Sequence, residues 1–125
     1  MNIFQNSGIL FLFLLFIVLT GIGLNRSGFA YGSLVLTLHK LLSLAVLVIY
    51  FRHLYLLNRT ESLSGGLVVL AAITVLFFIG AMITGGLVST EKYSTRLLLI
   101  LHRLLSILTI LGIGLTRVLL KYRID

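Results

Sequence analysis

Leu38-His39-Lys40-Leu41-Leu42-Ser43, in the first half of the chain, returns in the second as Leu101-His102-Arg103-Leu104-Leu105-Ser106. Upstream of each string stands a Thr-Gly pair, Thr20-Gly21 and Thr84-Gly85, near the end of an apolar run. The Thr-to-His spacing is 19 residues in one half and 18 in the other. A Leu-His-basic-Leu-Leu-Ser string at matched depth in two apolar segments marks an internal repeat. The repeating unit is one apolar run, a polar loop, and a second apolar run that carries the histidine. This is the pattern of a helical hairpin.

Outward from the repeat, the whole chain fits the same plan. It has 125 residues, 59% of them hydrophobic, and a mean hydropathy of +1.18. Ten basic and three acidic residues are too few to solvate the surface of a water-soluble globule of this size. Four helices are expected, at about 8–24, 34–57, 67–88 and 96–121, and none of these spans contains an acidic residue. Each is close to the ~20 residues that an α-helix needs to cross ~30 Å of hydrocarbon. A soluble bundle would need a polar face on every helix. The expectation is therefore an all-α membrane protein: a single four-transmembrane-helix bundle over 1–125, built from two repeated hairpins. With no cysteine, these residues offer no disulfide, thiolate metal site or c-type haem attachment. With no proline, the helices should run unkinked. The first 25 residues contain no Lys or Arg, so the charged start of a signal peptide is missing and the first run reads as retained.

The net charge of +7 would suggest nucleic acid in a soluble protein. Here the cations fall at helix ends, where they snorkel to the headgroups of membrane lipids, and no nucleic-acid partner is expected. Four spans put both termini and the 58–66 link on one side, with the 25–33 and 89–96 loops on the other. Arg52, Arg59, Arg117, Lys121 and Arg123 lie on the first side; Arg26, Lys40, Lys92, Arg96 and Arg103 lie on the second. The positive-inside rule is silent on that balance. If Lys40 and Arg103 serve another purpose, it favours cytoplasmic termini, in a prokaryotic-type cytoplasmic membrane.

Ionisable residues inside a span are functional candidates by default. His39 and His102 each lie about five residues inside a helix, roughly 8 Å below its end. The repeat sets them at equal depth on the second and fourth helices, which run parallel. Two neutral imidazoles on opposite sides of a flat cofactor are the axial ligands of a b-type haem, and bundle interiors bind cofactors through facing helices. Gly21, Gly23, Gly85 and Gly86 would let a porphyrin edge approach the backbone. Ser43 and Ser106, four residues after the histidines, leave room on the same face. Lys40 and Arg103, with Arg26 or Lys92, could meet the two propionates. Each has a plainer role: histidines that hydrogen-bond between helices, glycines that let helices pack closely, and cations that anchor to lipid. Zinc would want more His, Cys or carboxylate ligands than this interior supplies. His53 follows His39 by 14 residues, which returns to within ~40° of the same face and rises ~21 Å. Its counterpart in the repeat is Thr116. A second haem, a quinone or proton role, and an interfacial histidine without redox function all remain open for His53.

The pattern resembles the four-helix cytochrome b superfamily: the haem-binding bundle of quinol–cytochrome c oxidoreductases and the related b561-type membrane cytochromes. In the former, the second and fourth helices carry the ligands, two per helix and 14 apart, with glycines on the first and third. His39 and His102 match one ligand pair. His53 matches one member of the other pair, and Thr116 stands in place of its partner. Gly21 or Gly23, and Gly85 or Gly86, match the spacing glycines. The resemblance covers about residues 8–121. It implies one haem b between His39 and His102, with iron as the bound metal and a second haem near His53 in question. The implied function is electron transport between the quinone pool and a partner redox subunit or cytochrome. The chain would then be an electron-transfer subunit of a membrane oxidoreductase. The alternatives are a small transporter or a non-catalytic structural subunit of a membrane complex.

Overall fold

The structure, a computed structural model, describes residues 7–26, 33–90 and 96–124. Among them the chain is all-α: α1 Ser7–Arg26, α2 Ser33–Glu61, α3 Gly65–Val88 and α4 Arg96–Ile124. Each helix is long and apolar enough to cross a membrane. The chain divides into two compact units, 1–60 and 61–125. The division falls at the end of α2, so each unit is one copy of the repeat.

The helices outrun their apolar stretches. α2 continues through Asn58, Arg59 and Thr60 to Glu61, and only Ser62 to Ser64 separate it from α3. Polar residues propagate a helix readily once it has emerged from the bilayer, so hydropathy marks the membrane edge and not the helix end. Ser62 then turns the chain with φ 42°, the left-handed geometry that commonly ends helices. At the far end of α3, two hydroxyls bond carbonyls of the last turn: Ser89 Oγ donates to Gly86 O at 2.6 Å, and Thr90 Oγ1 to Leu87 O at 2.7 Å.

Hydroxyls within the spans are satisfied locally. Those of Thr37, Ser43, Thr74, Thr109 and Thr116 each donate to the carbonyl four residues earlier, at 2.8 Å. A hydroxyl bonded in this way carries little desolvation penalty into hydrocarbon. Among the described residues, no buried side-chain nitrogen or oxygen lacks a partner.

In the second unit, the buried residues of α3 are Leu67, Ala71, Thr74, Phe78, Ala81 and Thr84. Steps of three and four make this the seam of two helices packed at a shallow angle. On α4, Thr109, Ile113, Thr116 and Leu120 repeat the spacing. Contacts run antiparallel. Thr74 lies over Gly112, Leu105 over Gly80 and His102 over Gly85, so rising numbers on α3 meet falling numbers on α4. At Gly112 the fit is tightest: a Cβ there would run into Thr74 Oγ1 and come within 2.9 Å of Thr74 Cγ2. The first unit is closed by His39 of α2 against Thr20 and Gly21 of α1. Large apolar side chains are exposed on all four helices, including Phe11, Leu41, Leu76 and Leu111. Exposed apolar surface of that extent suits contact with lipid.

Candidate functional site

His39 and His102 are half-buried, each seven residues into its helix by the observed boundaries. In both units the imidazole turns back onto the helix that precedes it in the chain. His39 meets α1 through Nδ1, which lies 2.9 Å from Thr20 Oγ1. His102 meets α3 through Nδ1, which donates to Ala81 O at 2.9 Å and lies 3.5 Å from Thr84 Oγ1.

Glycine makes this approach possible. A Cβ on Gly85 would sit 2.8 Å from His102 Cε1 and 3.1 Å from its Nδ1. A Cβ on Gly21 would sit 3.3 Å from His39 Cε1. These two glycines therefore make room for their own unit's imidazole. A Cβ on Gly23 or Gly86 would meet nothing within 4 Å. The two serines share one arrangement: Ser43 Oγ donates to His39 O at 2.8 Å, and Ser106 Oγ to His102 O at 2.7 Å. Each hydroxyl lies one turn beyond its histidine and is tied to that histidine's backbone.

Lys40 and Arg103, one step past the histidines, are exposed and about 100° around their helices from them. Arg26 is exposed in the last turn of α1. Lys92 lies outside the described residues. His53 is half-buried near the far end of α2, while its repeat counterpart Thr116 is 1% exposed and bonded to Gly112 O at 2.8 Å. Fourteen residues of helix, or about 21 Å, separate His53 from His39, so His53 lies apart from the His39, Thr20 and Gly21 cluster.

Three groups here were not singled out by sequence reasoning: the hydroxyls of Thr20 and Thr84 and the carbonyl of Ala81. The threonines did leave a signal, because they recur with the glycines in front of each histidine. They served there only as markers of the repeat. The Ala81 carbonyl left none, since any residue supplies one.

Each hairpin thus presents one imidazole whose Nδ1 edge is held by the preceding helix. Metal-ligating histidines are commonly held in this way, with the second ring nitrogen hydrogen-bonded to an oxygen that orients the ring. Among the described residues, no three of His, Cys, Asp and Glu gather into a cluster that could cage an ion. Haem needs less of the protein, because it brings its own ring of nitrogen donors and requires only axial ones. No protein-family model matches the chain. No curated protein and no solved structure matches it either.

Proposed function

We propose that the chain is a membrane b-type cytochrome in which His39 and His102 are the axial ligands of one haem b. The observation that carries this reading is the repeated half-site. Both copies place a half-buried imidazole against a glycine, with Nδ1 hydrogen-bonded to an oxygen of the preceding helix. When bound, haem b supplies one-electron transfer at its iron. The chain's part is to hold the two rings, exclude water, and offer the loop-side cations Lys40, Arg103 and Arg26 to the propionates. Such a chain would pass electrons between the quinone pool and a partner redox subunit, in a prokaryotic-type cytoplasmic membrane with cytoplasmic termini. A second haem at His53 would need a ligand other than Thr116.

The test is an absorption spectrum of detergent-purified protein expressed with ample haem. The expected result is a sharp Soret band and a reduced α-band of the b type. His39→Ala and His102→Ala should each abolish the low-spin spectrum, whereas His53→Ala should keep most of it. If His53→Ala alone removes the haem, the ligand pairing is wrong.

A second reading rests on the same bonds. The His102–Ala81 and His39–Thr20 contacts tie two transmembrane helices together, and a chain that used them only so would be a structural subunit or a small transporter. Colourless wild-type protein with intact hairpins would favour this reading.

A further inference from the structure

We propose that each hairpin sets the tautomer of its own histidine before any cofactor arrives, and that the two do so with unlike acceptors. Thr20 is then a positioning residue for His39, whereas Thr84 is not one for His102. The value of the tautomer as a ligand rests on the haem reading; the tautomer itself does not.

In the second unit the assignment follows from chemistry. His102 Nδ1 lies 2.9 Å from the Ala81 carbonyl oxygen. A carbonyl only accepts, so Nδ1 carries the hydrogen. A neutral imidazole has one N–H, which leaves the lone pair on Nε2. The Thr84 hydroxyl adds little. It donates its hydrogen to Gly80 O at 2.8 Å, and its oxygen stands 3.5 Å from Nδ1, at the limit of a useful bond.

In the first unit the hydroxyl is the acceptor. Thr20 Oγ1 has a single hydrogen and two carbonyls of its own helix in reach, Phe16 O at 2.8 Å and Ile17 O at 3.0 Å. With its hydrogen engaged there, the oxygen accepts from His39 Nδ1 at 2.9 Å. The lone pair again falls on Nε2. Were Thr20 to donate to the ring instead, Nε2 would hold the hydrogen and could not bind a metal. The Thr-to-His spacing is one residue shorter in the second half, and the acceptor changes with it. A backbone carbonyl cannot be removed by substitution, but a hydroxyl can, and this makes the asymmetry testable.

The experiment uses full-length, haem-free protein labelled with 15N-histidine in lipid bilayers, and reads the ring-nitrogen shifts. In the wild type, both His39 and His102 should show protonated Nδ1 and unprotonated Nε2. Thr20→Val should move His39 toward the Nε2–H form, and Thr20→Ser should restore it. Thr84→Val should leave His102 unchanged. On haem titration, Thr20→Val should lose about 10- to 100-fold in affinity, the usual scale for an outer partner of a ligating histidine. Thr84→Val should lose little. A wild-type His39 already in the Nε2–H form, an unresponsive Thr20→Val, or a responsive Thr84→Val would each overturn the proposal. Wild-type protein that shows the expected shifts yet binds no haem would overturn the haem reading and leave the tautomer assignment standing.

Discussion

Gly85 carries the sharpest steric demand at either histidine. A methyl group at 2.8 Å from His102 Cε1 is closer than packed carbons tolerate, and the ring on the rigid helix above it must move. Forced overpacking of this kind typically costs about 1–3 kcal/mol. Gly85→Ala should therefore weaken haem binding, read as a lower Soret absorbance per mole of protein. Gly21→Ala, where the same distance is 3.3 Å, should act in the same direction but less. Gly86→Ala and Gly23→Ala should fall within ~0.5 kcal/mol of wild type, as open positions do. Equal effects at Gly85 and Gly86 would mean that the glycines serve packing in general and not the imidazole. The sequence could nominate all four glycines but could not rank them. Which of two adjacent glycines faces the histidine depends on the angular register between two helices, and a spacing of 18 or 19 residues across a loop does not determine that angle. The same limit hid the contact of Thr20 with His39, although the repeat displayed the threonine openly.

At the level of the helix, hydropathy located the spans and placed most ends within two residues, but α2 and α4 run on past their apolar stretches. The four apolar runs are the four helices because, in hydrocarbon, an unpaired backbone amide is so costly that an apolar run of this length has little choice but helix. Beyond the bilayer that constraint lifts, and the polar residues 58–61 stay helical through ordinary propensity. The α3–α4 seam was less visible, since Thr74, Thr109, Gly112 and Thr116 look unremarkable in an apolar background. Small residues matter there because lipid is as apolar as leucine, so close van der Waals packing must hold the helices together. Gly112→Leu should separate α3 from α4 where Thr74 now rests on the glycine. The expected result is a destabilised second unit, seen as a lower midpoint of thermal unfolding in detergent. Gly114→Leu, at a position whose Cβ would meet nothing within 4 Å, is the control and should leave the midpoint unchanged.

For the molecule as a whole, the decisive quantity is the side of the membrane on which each connection lies. If α3 spans, Ser62 and Thr90, which flank it, must lie on opposite sides. Near the first, exposed Arg59 sits 5.8 Å above the Tyr55 ring, a cation–aromatic pair suited to the headgroup layer. The absence of cysteine makes the test clean, because a single introduced thiol has no background. In sealed vesicles of one orientation, a membrane-impermeant maleimide should label only one of Ser62→Cys and Thr90→Cys. In inverted vesicles it should label the other. Labelling of both from the same side would remove α3 as a span. The experiment also decides what the balanced cations leave open. If Thr90→Cys reacts from outside, the connection before α4 is external and that before α3 is cytoplasmic, the orientation expected if Lys40 and Arg103 are committed to a ligand and do not count.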